Sequence, residues 1–220
     1  MDYYHFVRRE IKPLLPQSPA RILEVGAGAG VTLKWLKTLY PKAETTAVEL
    51  NPDLLDELKQ NVDVVIIGQI DEAFARLKTY DLILLLDVLE HLPDSTATLR
   101  KLSKLLEAGG HIIVSVPNIA HLSVSVPLLL KRRFNYQDAG ILDRTHLRFF
   151  VEDTAIKLLN DANLIVTAGL ISGLQGPKAK LLDLLSFGLL RHHLAKQYVM
   201  LGQLGDRKIV QKRIRWAISQ

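Results

Sequence analysis

Residues 21–30 read RILEVGAGAG, and an acid stands nineteen positions beyond Gly30, at Glu49. Ile22, Leu23 and Val25 form a short apolar run suited to a buried strand. The alternating Gly26, Gly28 and Gly30 then let the backbone turn sharply and approach a ligand closely. A second apolar run, Thr45 to Val48, ends at Glu49, where a carboxylate can accept hydrogen bonds from two ribose hydroxyls. Strand, glycine loop, helix, strand and acid together describe a nucleoside-binding crevice.

The glycine spacing separates the candidate ligands. A dinucleotide fingerprint counted from Gly26 requires a small residue at position 31, where the helix packs on the strand beside a pyrophosphate, and that position holds Val31. No Gly-Lys-Ser/Thr follows the loop, so a Walker-type phosphate cradle is excluded.

Outward from this loop, strand-like and helix-like segments alternate at the lengths of βαβ units, which predicts a mainly parallel sheet covered on both faces. An opening helix is expected over Tyr3 to Lys12 and helix A from Gly30 to Leu39. Asn51-Pro52-Asp53 signals the next helix with a cap, a proline at its first position and an acid in its first turn. Asp63 to Ile67 is expected as strand three and Asp71 to Leu77 as a short helix. Asp81-LILLL-Asp87 reads as a strand in mid-sheet. A helix capped at Asp94 or Ser95 is expected to run to a stop at Gly109-Gly110, followed by strand five over His111 to Val116. Residues 118–150 read as an insertion. A helix near Glu152 to Asn160, a strand near Leu164 to Ile171, a helix over Leu181 to Leu190 and a last strand at Tyr198 to Leu201 complete the pattern.

The chain has 220 residues, a net charge of +5 and no cysteine. Its length favours one α/β domain over 1–205, with 1–20 as an N-terminal helix and linker and 206–220 as a basic C-terminal tail. The missing cysteines exclude disulfides, thiolate metal sites and a cysteine nucleophile. No metal site is expected. The amino terminus is charged and no uncharged apolar stretch reaches membrane-spanning length, so a cytoplasmic protein is expected. Positive charge gathers at Lys131, Arg132, Arg133, Arg144 and Arg148, and again at Arg207, Lys208, Lys212, Arg213 and Arg215. Such patches suit nucleic acid, anionic lipid, an acidic substrate or plain solvation.

With EVGAGAG (24–30), LLDVLEHLPD (85–94) and GILDRTHLRFF (140–150), the chain resembles the class I S-adenosylmethionine-dependent methyltransferases, and within them the methyltransferase domain 23 and type 12-like proteins. The resemblance covers nearly the full length. It implies a Rossmann-like seven-stranded, mostly parallel sheet of order 3-2-1-4-5-7-6, with Gln197 to Leu201 as a closing edge hairpin. It also implies S-adenosyl-L-methionine as cofactor and S-adenosyl-L-homocysteine as product. Glu24, Gly26, Ala27, Gly28 and Gly30 would line the methionine side, Glu49 would hold the ribose and Leu50 would pack on adenine. The usual Gly-Asp after strand three is here Gly68-Gln69. The Gln69 amide oxygen can still accept from the adenine amine, with Ile70 as an apolar wall. Asp87, Val88 and His91 match the segment beside the sulfonium.

Three histidines fall where the resemblance implies an acceptor-facing surface: His91, His121 and His146. A hydroxyl acceptor needs a base near neutrality, the usual work of histidine. His146, His121 and Arg144 are therefore the catalytic candidates, with Arg144 or Arg148 as holders of an anionic acceptor. Asp143 with Arg144 would equally serve to pin the insertion. The chain lacks the Asn/Asp-Pro-Pro-aromatic motif of amino-directed nucleic-acid enzymes and the cysteine of carbon-five pyrimidine chemistry, so nucleic acid is a disfavoured partner. O-methylation of a sugar, glycoconjugate or small metabolite is the leading expectation. The alternatives are a lipid-linked, quinone-like acceptor at a membrane surface and a non-catalytic adenosyl-binding regulatory subunit. VSVPLLLKRRF (124–134) and a helix around Arg207 to Trp216 set apolar residues beside cations. They are read first as a packed lid and a tail docked on a homodimer partner, and second as a peripheral membrane contact.

Overall fold

A computed structural model describes residues 3–174, 176–205 and 214–219. Its strands are β1 (Arg21–Val25), β2 (Glu44–Glu49), β3 (Val64–Ile67), β4 (Tyr80–Leu86), β5 (Leu106–Pro117), β6 (Leu164–Ser172), β7 (Gln197–Leu204) and β8 (Trp216–Ile218). They form one sheet in the order β3-β2-β1-β4-β5-β7-β6-β8. All neighbours are parallel except β7, which runs antiparallel to both β5 and β6. The helices are α1 (Val31–Leu39), α2 (Leu55–Asn61), α3 (Ile70–Ala73), α4 (Ser95–Ser103), α5 (Leu122–Lys131), α6 (Glu152–Asp161), α7 (Pro177–Leu185) and α8 (Arg191–Leu194).

The central strands are apolar on both faces because helices cover both. Along β4 the pleat sends Leu82, Leu84 and Leu86 into a core shared with Leu33, Leu36 and Ile113. Ile83 and Leu85 enter the opposite core with Leu99, Leu102 and Ile156. Val25 is paired with Val48 on one side and Leu85 on the other. The loops leaving β1, β2 and β4 therefore emerge together at the carboxyl end of the sheet. Strand order reverses there, and open α/β sheets bind ligands at that point.

The structure corrects several expectations. The sheet has an eighth strand: Trp216 to Ile218 extend it beside β6, and the Trp216 indole packs 4.9 Å from the Tyr198 ring while its Nε1 donates to Glu152 at 2.7 Å. That anchoring draws the end of the basic tail into the domain. Of the helix expected around Arg207 to Trp216, residues 207–213 lie outside the described residues, and Ile214 and Arg215 are not helical. β7 is an interior strand, not an edge, because β6 and β8 lie beyond it.

Gly109 and Gly110 do not stop a helix. α4, capped by the Asp94 side chain accepting from Ala97 N at 2.9 Å, ends at Ser103. The two glycines lie at an irregularity of β5, where a Cβ on Gly110 would stand 2.9 Å from the Glu107 carbonyl oxygen. The expected opening helix is instead two 3-10 turns, Tyr3–His5 and Arg9–Leu14, with Pro13 inside the second. Buried Ile11 and Leu14 hold that second turn to the domain.

Candidate active site

The loop from Gly26 to Gly30 links β1 to α1, and Gly26, Gly28 and Gly30 all adopt left-handed φ, at 69°, 54° and 75°. Only glycine takes this conformation at little cost. At Gly28 the space where a side chain would start is filled by the amino-terminal segment: a Cβ would stand 2.9 Å from the Tyr4 carbonyl oxygen, which accepts from Ala29 N at 3.0 Å. Ala27 is buried within the loop. Residues 3–8 thus roof the glycine loop, an arrangement that the spacing of its glycines does not reveal.

Glu49 closes the loop from the next strand. Its Oε2 accepts from Gly28 N at 2.8 Å and its Oε1 from Asn51 N at 3.0 Å. Each oxygen keeps a second lone pair, so the carboxylate can still accept from a vicinal diol. Leu50, next to it, is 65% exposed, an apolar surface open to a flat ring. Gly68 N donates to the Glu49 carbonyl at 2.9 Å, which sets the exposed Gln69 and buried Ile70 beside the same strand end.

Glu24 is buried in β1, and its Oε2 has no hydrogen-bond partner. Burial pushes its carboxyl up to about 8, against the pull of Arg8 and with a push from Glu49. Arg8 is the residue that the sequence left unnoticed. Its Nη1 donates to Asp87 Oδ2 at 2.9 Å, its Nη2 to Ser115 Oγ at 3.2 Å, and its Nε pairs with Glu10. Asp87 itself sits at φ 58°, a backbone state that bulky residues rarely adopt. It accepts further from Ser115 Oγ at 2.7 Å and Gln197 Nε2 at 2.8 Å. Asp87 therefore has protein donors on both oxygens, whereas Glu24 has an oxygen with none. Val88 packs over Gly26, where an added Cβ would meet its Cγ2 at 2.7 Å.

The second half of the site is assembled from two distant motifs. The 3-10 turn Leu89–His91 follows β4, and the backbone carbonyl of Glu90 accepts from Leu147 N at 2.8 Å and Arg148 N at 3.2 Å. That brings His146 edge-on to His91, with ring centroids 4.8 Å apart. His146 Nε2 lies 3.9 Å from Glu90 Oε1. The Glu90 side chain is fully buried, and neither carboxylate oxygen has a hydrogen-bond partner. Burial first, then nearby Asp87, holds it protonated well above the usual carboxylate range. Burial lowers His146, which keeps its imidazole neutral. Glu90 is the other residue that sequence reasoning passed over, although it stands inside the quoted LLDVLEHLPD.

The remaining catalytic candidates lie elsewhere in the contact pattern. His121 caps α5, accepting at Nδ1 from Ser123 N at 3.1 Å, and the contacts that join His91 to His146 do not include it. Arg144 is exposed and pairs with the exposed Asp138 at 2.6 Å, not with Asp143. Arg148 donates to the Pro93 carbonyl. Asp143 instead accepts from the Thr145 hydroxyl at 2.6 Å, and Thr145 Oγ1 lies 3.0 Å from His91 Nδ1.

The sequence profile of the family described as a methyltransferase domain matches residues 2–168. The chain belongs to that family. This methyltransferase is 31% identical over 109 residues to Methyltransferase str2 of Strobilurus tenacellus, across 50% of its own length and 40% of the relative's. It is 32% identical over 106 residues to the Ubiquinone biosynthesis O-methyltransferase of Xanthomonas oryzae pv. oryzae, across 45% and 44%. The chain thus spans less than half the length of the curated relatives it matches. Its fold superposes on a SAM dependent methyltransferase from Archaeoglobus fulgidus with a TM-score of 0.62 at 16% identity, covering 89% of this chain and 90% of that one. The architecture is that of the class I S-adenosylmethionine-dependent methyltransferases, with β8 added at one edge. Among the described residues no helix is long and apolar enough to cross a membrane.

Proposed function

We propose that this methyltransferase moves the methyl group of S-adenosylmethionine to a hydroxyl of a small-molecule or glycan-type acceptor. The observation that carries the reading is the pair of buried carboxyls with unpartnered oxygens, Glu24 in β1 and Glu90 just after the neighbouring β4. Glu24 suits a cationic amino group at the glycine loop, and Glu90 with its two histidines suits an acceptor that must lose a proton. The name of the Xanthomonas relative, an O-methyltransferase, supports the same class of acceptor.

The cofactor fits the residues present. Glu24 has an orphan oxygen for its ammonium group, Glu49 has lone pairs for the ribose diol, and Leu50 offers an open apolar face to adenine. Gly26, Ala27, Gly28 and Gly30 would hold the methionine end, Gln69 and Ile70 the adenine, and Val88 and His91 would stand on the sulfonium side. Asp87 holds this wall to Arg8 and Gln197. When bound, S-adenosylmethionine supplies an electrophilic methyl on a sulfonium, and an oxygen nucleophile displaces the thioether in line. The chain's own work is alignment of the acceptor and withdrawal of its proton. A neutral His146 beside His91 and Glu90 is the cluster available for that withdrawal. His121 and Arg144 are left with structural roles at the rim.

Calorimetric titration with S-adenosylmethionine, S-adenosylhomocysteine and a nicotinamide dinucleotide tests the cofactor, and methyl transfer to a panel of catechols and sugars tests the acceptor. Binding of the first two ligands alone, with transfer to a hydroxyl, is expected. Binding without transfer to any acceptor would favour an adenosyl-binding regulatory subunit. Preference for the dinucleotide would overturn the assignment.

A second reading places the acceptor in a lipid. α5 buries Val124 near its start, while near its end Leu129 is 81% and Leu130 73% exposed, directly before Lys131, Arg132 and Arg133. Leu184, Leu185, Phe187 and Leu189 in and after α7 are also exposed. Apolar side chains beside cations suit an anionic bilayer surface.

A further inference from the structure

We propose that Glu90, His91 and His146 bind one divalent transition-metal ion. Each residue offers one ligand atom, and the three atoms lie within 4.8 Å of one another. Proximity alone would not make a site; the hydrogen bonds around the cluster do.

The protonation pattern follows from the partners. His146 Nδ1 lies 3.1 Å from the Ile141 carbonyl oxygen, which can only accept, so Nδ1 carries the hydrogen and Nε2 is left with its lone pair. That lone pair faces Glu90 Oε1 at 3.9 Å. The Thr145 hydroxyl donates to Asp143 at 2.6 Å, so its oxygen must accept from His91 Nδ1 at 3.0 Å. His91 therefore also keeps its lone pair on Nε2. Glu90 adds two buried oxygens that no donor reaches. Two imidazole lone pairs and the unpartnered Glu90 carboxyl converge here, and a cation that takes the place of the Glu90 proton would satisfy all three at once.

The same bonds supply what metal sites need around their ligands. Each histidine is oriented through its other nitrogen, His146 by a backbone carbonyl and His91 by a hydroxyl relayed to the Asp143 carboxylate. Two imidazoles and one carboxylate suit Mn²⁺, Fe²⁺, Co²⁺, Ni²⁺ or Zn²⁺, whereas Mg²⁺ and Ca²⁺ prefer all-oxygen sets. Ligand atoms about 2.1 Å from a metal stand roughly 3 Å apart, so side-chain rotation closes the present spacing. His91 is only partly buried and leaves an entry path. Asp87 lies outside the cluster, and its carboxylate is engaged by Arg8, Ser115 and Gln197. Three protein ligands leave coordination positions open for an acceptor oxygen. That role rests on the O-methylation reading and would replace proton withdrawal by His146, whose one lone pair is then a ligand; the binding itself does not rest on it.

The test is titration of tag-free, chelator-treated protein with Co²⁺, read by visible d–d absorption, and with Mn²⁺, read by loss of its free-ion electron paramagnetic resonance signal. No cofactor or acceptor is present, so failure of methyl transfer and failure of metal binding are told apart. Saturation at one equivalent is expected. Glu90→Gln, which keeps the shape of the buried side chain, and His91→Ala, at a partly exposed position, should each weaken binding at least about tenfold. Absence of saturable binding, or equal affinity in both folded variants and the parent, would overturn the inference and leave a proton shared within the cluster in its place.

Discussion

Arg8 and Asp87, seventy-nine residues apart in sequence, meet in an ion pair of 2.9 Å that ties the amino-terminal segment to the end of β4. Arg8 is 9% exposed, and Asp87 also binds Ser115 and Gln197, so four segments meet at one carboxylate. Removing the cation leaves a partly buried carboxylate without its counter-charge. We expect Arg8→Met to cost about 3 kcal/mol, measured by urea unfolding. An unchanged denaturation midpoint would show that the pair is dispensable.

Gly28→Ala tests the roof over the glycine loop. A methyl at a φ of 54°, 2.9 Å from the Tyr4 carbonyl oxygen, must displace residues 3–8. Destabilisation of about 1–2 kcal/mol is expected, with at least tenfold weaker S-adenosylmethionine binding by calorimetry. Wild-type affinity in this variant would mean that the loop does not hold the cofactor.

Glu24 predicts a pH dependence. Its carboxyl rises from an ordinary 4.5 to about 8 on folding, so the folded state favours the protonated form. Its contribution is fully present below about pH 4.5 and is lost as pH rises through about 8. Wild-type stability should therefore fall across that window relative to Glu24→Gln, in paired chemical denaturation curves. A cofactor ammonium beside Glu24 should also drive its proton off near pH 7, visible as buffer-dependent heats of binding. Parallel stability curves for the two proteins would remove Glu24 as a titrating group.

His146→Ala should lower the rate of methyl transfer at least about a hundredfold, with S-adenosylmethionine affinity within about twofold of wild type, since its contacts are His91, Glu90 and Phe149 rather than the glycine loop. Steady-state kinetics beside calorimetry separate the two effects. A matching loss of cofactor affinity would place His146 on the cofactor side.

Leu129→Ser with Leu130→Ser tests the exposed face of α5. Flotation with phosphatidylglycerol vesicles should recover the parent protein and lose the double variant, while neutral vesicles recover neither. A dimer that dissociates in the variant, with no vesicle binding by the parent, would assign this face to a second copy of the chain.

The glycine loop, Glu49 and the places of the first five strands along the chain were legible because they rest on local chemistry: left-handed turns, strand-length apolar runs and caps at Asn51 and Asp94; their order in the sheet came from the family resemblance. Glu24 and the three histidines stood out by residue type in the same way. Which of those histidines act together was not local. His146 reaches His91 only because residues 147 and 148 donate to the Glu90 carbonyl, while His121, an equal candidate in the sequence, is taken up as a helix cap. Arg8 carried no motif, since its meaning comes from a carboxylate seventy-nine residues away. β8 was missed for the same reason, because Trp216 finds its partners, Tyr198 and Glu152, only across the folded sheet. Sequence by itself determined the glycine-loop framework, whose geometry is encoded within a few residues of backbone preference. Tertiary structure alone decided the cluster of Glu90, His91 and His146, because burial and long-range hydrogen bonds set which polar groups converge and which are left without donors.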